Sequence, residues 1–178
     1  MGAVYEREFK GILAGDPRTI EAVSKSLDAR QRSAYARSRG HPFLVIRAAG
    51  SLGADLVAVR GDLAFLVEVK SAKSPTLYFT AAERLAAQIE EIRRQCERTG
   101  VLPVYAFRRK GFRGDAWRLF SMPGMNLSAR AGIVWRRLPK VGKTSNGNDV
   151  IRWDEGMPLA SFLEFVCEAN GARNVQKS

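Results

Sequence analysis

Ala54-Asp55-Leu56-Val57-Ala58-Val59-Arg60-Gly61-Asp62-Leu63-Ala64-Phe65-Leu66-Val67-Glu68-Val69-Lys70 is the stretch that decides the architecture. Residues 54–60 and 63–70 are two short apolar runs, and the spacing predicts two strands joined by a tight hairpin at Gly61-Asp62. In a strand, alternate side chains share a face. Glu68 and Lys70 therefore point one way, and Val67 and Val69 the other. Hairpin pairing lets Asp55 lie across from Glu68 and Lys70 on their side of the sheet. Two carboxylates and the Val69 carbonyl are hard donors suited to Mg²⁺, which keeps several of its waters. Such a metal polarises a phosphodiester and lowers the pKa of a bound water. Lys70 would orient that water or steady the charge that builds on phosphate oxygens. On spacing alone, Glu68 and Lys70 also fit an ordinary surface ion pair.

Working outward, residues 4–14 carry Tyr5, Phe9, Ile12 and Leu13 at helical spacing. Gly15 ends that helix, and Asp16-Pro17 opens a second with Asp16 as N-cap. The second helix buries Ile20, Val23 and Leu27, and its more basic continuation runs to Arg39. Residues 43–48 predict a strand, and 71–75 a loop. Thr80-Ala81-Ala82-Glu83 is a capping box opening a helix through Leu85, Ile89, Ile92 and Cys96. Residues 102–108 and 116–120 predict two more strands, joined by Arg109-Lys110-Gly111-Phe112-Arg113-Gly114. After Ser121 the signals weaken to a turn at Ser145-Asn146-Gly147-Asn148 and a terminal helix over 158–169. The order helix, helix, three strands, helix, two strands implies an α/β fold with a mixed central β-sheet flanked by helices.

The chain has 178 residues, 46% of them hydrophobic, enough for one domain with a real core. It holds 29 Lys+Arg against 18 Asp+Glu, a net charge of +11. Such an excess repels itself and favours a polyanionic partner, most commonly nucleic acid. Between residues 108 and 143 there are ten Lys or Arg and one acid, Asp115. With Phe112, Trp117 and Trp135 among them, these cations predict a phosphate-binding surface, with Arg108, Arg109, Lys110 and Arg113 as DNA contacts. Cys96 and Cys167 read as buried thiols in a reducing compartment. No apolar signal core opens the chain and no run reaches a membrane span, so a cytoplasmic, DNA-associated protein is expected. Val141-Gly142-Lys143-Thr144 lacks the earlier glycine of a phosphate-binding loop, because Arg137 stands there. His41 cannot build a zinc site with two distant cysteines.

Glu6 and Glu8 are a second source of carboxylate, although negative charge suits a helix start anyway. Tyr5-Glu6-Arg7-Glu8-Phe9, Val45-Ile46-Arg47-Ala48-Ala49-Gly50-Ser51, Asp55-Leu56-Val57-Ala58, Glu68-Val69-Lys70, Leu77-Tyr78, Pro103-Val104-Tyr105-Ala106 and Ala116-Trp117-Arg118 together resemble the archaeal-type Holliday junction resolvases. These belong to the PD-(D/E)xK nuclease superfamily, with a restriction-endonuclease-like core. The resemblance implies that Glu6, Asp55 and Glu68 are metal-site carboxylates and Lys70 the catalytic lysine. It implies that Arg7 and Arg47 contact DNA phosphates and that Ser51 approaches the scissile strand. It implies a homodimer that nicks a four-way junction symmetrically with Mg²⁺ (Mn²⁺ substituting), leaving 5′-phosphate and 3′-hydroxyl ends. On that reading residues 1–121 are the nuclease core, with an inserted helical segment at about 16–42. Residues 122–178 are a basic C-terminal extension. Two other readings stand beside it: a restriction or repair nuclease of the same superfamily, and a non-catalytic junction-binding protein.

Overall fold

A computed structural model describes residues 2–48, 53–79 and 83–171. The helix α1 (Gly2–Leu13) buries Phe9, Ile12 and Leu13 completely, the stripe its spacing requires. The expected long second helix is two helices, α2 (Pro17–Ser24) and α3 (Ala29–Gly40). Asp16 caps α2 by accepting from the Thr19 N–H at 2.7 Å. Asp28 starts α3 with a capping box, its side chain accepting from the Gln31 N–H (2.8 Å) while the Gln31 side chain accepts from the Asp28 N–H (3.1 Å). That box supplies the break.

The strands β1 (Leu44–Arg47), β2 (Leu56–Arg60), β3 (Leu63–Ala72), β5 (Leu102–Arg109), β6 (Trp117–Phe120) and β9 (Met157–Pro158) form one sheet in the order β1-β2-β3-β5-β6-β9. The pairs β1–β2, β2–β3, β5–β6 and β6–β9 are antiparallel, and β3–β5 is parallel. The sheet is therefore mixed, as expected. The parallel step needs a crossover, and α4 (Glu83–Thr99) lies within it. A second sheet of β4 (Thr76–Tyr78), β8 (Asp149–Arg152) and β7 (Gly142–Lys143) runs in the order β4-β8-β7. The capping box at residues 80–83 lies outside the described residues, apart from the start of α4 at Glu83.

The segment 16–42 is built into the core. Ile20, Leu27, Ala34 and Tyr35 are buried with the α1 stripe. At the α1–α2 turn, Gly15 has φ +70, and a Cβ there would stand 2.6 Å from the Ser38 carbonyl of α3. Only glycine allows both the backbone angle and the approach.

The expected boundary at residue 121 falls inside this core. The helices α5 (Ala129–Arg137) and α6 (Leu159–Gly171) follow it. On α6, Leu159, Phe162, Leu163 and Val166 are fully buried, with Phe162 edge-on to Phe65 of β3 at 5.8 Å. Ion pairs Arg30–Glu164 (2.9 Å) and Arg37–Glu168 (3.0 Å) tie α3 to α6. The last strand of the main sheet, β9, also comes from beyond residue 121.

Candidate active site

The β2–β3 hairpin has the predicted register. Arg60 pairs with Leu63 across Gly61-Asp62, and Leu56 pairs with Val67. One residue before β2, the Asp55 N–H donates to the Val67 carbonyl at 2.8 Å. Asp55 thus stands opposite Glu68. Because β2 begins at Leu56, its ladder does not extend along β3 to Val69. There the Asp55 carboxylate substitutes for a strand, with Oδ2 accepting from the Val69 N–H at 2.7 Å. The Val69 carbonyl lies on the same edge as its N–H, as strand geometry requires.

Glu68 Oε1 accepts from Lys70 Nζ at 2.5 Å, a contact between strand neighbours on one face. Burial pushes the Glu68 carboxyl above its ordinary pKa. Lys70 opposes that rise, and the charges of Asp55 and Glu6 add to it. Glu6 therefore belongs to this cluster, brought to it by α1 from 62 residues away. Its Oε2 accepts from Arg47 Nη2 at 2.6 Å. Arg47 is the last residue of the edge strand β1. Three carboxylates from α1, the β2 entry and β3 thus share one end of the hairpin. Each has one oxygen engaged by an N–H. The donor set is all hard oxygen, which suits Mg²⁺ or Mn²⁺ over a thiophilic metal. Among the described residues no three His, Cys, Asp or Glu stand together closely enough to hold a metal ion by themselves. Mg²⁺ typically binds through one or two carboxylates and completes its shell with water and phosphate oxygens.

Glu8 does not join it. Its Oε1 accepts from Arg108 Nε and from Trp117 Nε1, each at 2.8 Å. Arg108 also lies 4.6 Å above the Tyr5 ring, so its guanidinium is engaged inside the protein. Arg109 faces the rings of Phe112 and Trp153 at 5.7 and 5.4 Å, and Lys110 lies 5.7 Å from the Tyr5 ring. Arg7 and Arg113 are exposed. Ser51 lies outside the described residues.

Several side chains of the 108–143 stretch turn inward or pair within the protein, while Arg113, Arg136 and Arg137 are exposed. Trp117 is 1% exposed. The Trp135 indole N–H donates to the Met122 carbonyl at 2.8 Å. Arg118 packs 3.7 Å over Trp153, Arg130 pairs with Asp62 at 2.9 Å, and Lys143 pairs with Asp149 at 2.7 Å.

A second polar cluster, missed in the sequence, centres on buried Asp115. Its Oδ2 accepts from the Ala160 N–H at 2.8 Å, and its Oδ1 from the Tyr35 hydroxyl at 2.9 Å and the Trp117 N–H at 3.3 Å. It joins α3, β6 and α6. A lone acid in a basic stretch was the available signal.

The fold and this carboxylate–lysine end define an α/β protein with a mixed sheet and a candidate phosphodiester site. A family model described as archaeal Holliday junction resolvase matches residues 28–154, and the chain belongs to that family. It is thus a nuclease of DNA recombination that acts on branched DNA. The matched stretch contains Arg47, Asp55, Glu68 and Lys70 but stops short of α1 and Glu6. Among solved structures, the chain is similar to the Holliday junction resolvase of the archaeal hyperthermophile Archaeoglobus fulgidus. Identity is 22%, over 68% of this chain and 81% of that chain, with a TM-score of 0.46. No curated protein matches the chain. No helix among the described residues is long and apolar enough to cross a membrane.

Proposed function

We propose that this chain resolves four-way junctions by symmetric, metal-dependent nicking as a homodimer in the cytoplasm, leaving 5′-phosphate and 3′-hydroxyl ends. The observation that carries the reading is the meeting of Glu6, Asp55 and Glu68 beside Lys70 at the open end of the β2–β3 hairpin. Asp55, Glu68, Glu6 and the Val69 carbonyl would hold Mg²⁺, with Mn²⁺ as a substitute. When bound, the metal supplies charge neutralisation at the phosphate and a more acidic water.

The chain's own groups do the rest. The Val69 N–H fixes the Asp55 carboxylate at the edge of β3. Lys70, held on the sheet face by Glu68, presents its ammonium to the phosphate oxygens, where charge grows in the transition state. Arg47 and Arg7, with exposed Arg113, contact backbone phosphates and position the strand without reading its sequence. A two-fold dimer fits the substrate because two equivalent sites meet two equivalent strands.

The test uses a labelled four-way junction and a linear duplex of the same arms, with Mg²⁺ or with chelator. Paired nicks in the junction alone, lost in chelator, are expected. Equal cutting of the duplex would overturn junction selectivity, and cutting in chelator would overturn the metal.

A further inference from the structure

The two ion pairs of the site are built differently. Lys70 and Glu68 sit two apart on one strand face, and both side chains are largely enclosed, 33% and 25% exposed. Their contact is a consequence of the strand. Arg47 and Glu6 come from separate elements, and the pair is lopsided: the arginine side chain is 57% exposed and the glutamate 15%. The cation stands largely in solvent on an edge strand, while the carboxylate is enclosed near the other two. Arg47 can turn to another anion without disturbing the sheet.

We infer that Arg47 is a positioning residue that passes between Glu6 and a DNA phosphate, so that capture of a divalent cation depends on bound DNA. The inference rests on the metal-dependent reading above. With Arg47 on Glu6, the three carboxylates face two cations, Arg47 and Lys70. When a phosphate draws Arg47 away, they face Lys70 alone, and the enclosed Glu6 lacks its counter-charge. The deficit favours a divalent ion in the place where the cut is made. By linkage, the cation in turn tightens DNA binding by the same factor. In the free protein an internal cation weakens the site for metal, and a phosphate that draws Arg47 away strengthens it.

Two measurements without catalysis test this. In calorimetry with Mn²⁺ and no DNA, Arg47→Ala should bind Mn²⁺ about two- to five-fold more tightly than wild type, the range of a partly exposed ion pair. A non-cleavable junction should tighten Mn²⁺ binding to wild type more than to Arg47→Ala. Equal or weaker Mn²⁺ binding by free Arg47→Ala would overturn the exchange. In chelator, Glu6→Gln should bind the junction about two- to five-fold more tightly. Its log K against log salt slope should steepen, by up to about 0.9 for one released arginine. An unchanged affinity and slope would overturn it independently of any metal. Mn²⁺ binding that Asp55→Asn leaves untouched, with or without junction, would break the metal reading itself. The chelator experiment would still report on the Arg47–Glu6 pair alone.

Discussion

Glu6 and Glu8 stand two residues apart on α1, and the molecule uses them in opposite ways. One helix turn covers 3.6 residues, so the two carboxylates leave the helix in nearly opposite directions. Glu8 meets Arg108 and Trp117 beneath α1, where both of its donors are committed and largely enclosed. Asp115 nearby collects three donors from three elements. Glu6 meets Asp55 and Glu68 at the sheet end, where like charges sit together and burial holds Glu68 toward its neutral form. The same residue types make a fastening in one place and a strained, open set in the other. The difference lies in satisfaction. A carboxylate whose donors come from enclosed side chains of other elements holds the fold, and carboxylates gathered with like charges at the sheet end leave room for a further cation.

The largest effect should fall on activity at the sheet end. Lys70→Ala or Asp55→Asn should lower nicking by about 10²–10³-fold, the loss typical of removing one preorganised group from a transition state. Junction affinity in chelator should stay near wild type, and unfolding stability should fall by no more than about 1 kcal/mol for a partly exposed pair. Either variant cutting at the wild-type rate would end the contrast. Asp115→Ala should show the reverse pattern. It leaves the Ala160 N–H and the Tyr35 hydroxyl buried without an acceptor, at about 3 kcal/mol together. Urea unfolding would measure it. The surviving folded fraction should still nick junctions in Mg²⁺. A stability loss under about 1 kcal/mol would mean that water replaces the carboxylate and that the cluster is not a fastening.

Glu8→Gln should be milder. The amide oxygen can still accept from Trp117 or Arg108, but the charge is gone, and about 1–2 kcal/mol of stability should go with it. The same change at Glu6 should cost little stability, because the Arg47 side of that pair is mostly in water. Parallel denaturation of Glu6→Gln and Glu8→Gln compares the two ends of α1 directly. Equal losses would erase the distinction.

Parts of this contrast were legible in the chain. The period of two along β3 and the two-residue turn at Gly61-Asp62 put Asp55, Glu68 and Lys70 on one face before any coordinates. That face follows from backbone geometry and needs no distant contact. Which of Glu6 and Glu8 turned to the site did not follow from residue identities alone, because it depends on how α1 lies on the sheet. The directions of the cations of 108–143 were hidden for a related reason. A charge run gives sign but not direction, and Arg118, Arg130 and Lys143 turn to Trp153, Asp62 and Asp149, none of them near in sequence except Lys143's partner on the paired strand. The start of α3 was readable, since Asp28 and Gln31 have capping-box spacing. Its basic, weakly apolar helix hid the break by offering no stripe of its own. The strand β8 is four residues long and draws its burial from β4 and Trp153, which a local pattern cannot foresee.

The smallest predicted effect is a pH dependence, and it asks whether the sheet end truly carries strain. Burial raises the folded-state pKa of Glu68 above its ordinary value, and the repulsion of Asp55 and Glu6 adds to burial. Between the ordinary carboxylate pKa and the raised one, the folded state binds more protons than the unfolded. Stability from this group therefore falls as pH rises through that window and stays lower above it. Glu68→Gln removes the titration. Relative to wild type it should gain stability as pH rises from about 4 toward neutrality, by at most about 1 kcal/mol because the group is partly exposed. Asp115 is raised by burial as well, so the comparison must be the difference between Glu68→Gln and wild type, in which Asp115 cancels. A gain that grows with pH would show that the ionised cluster costs the fold something that a bound cation can relieve. A flat difference would mean that Lys70 already neutralises Glu68 in full, and the sheet end would be as well satisfied as the Glu8 end.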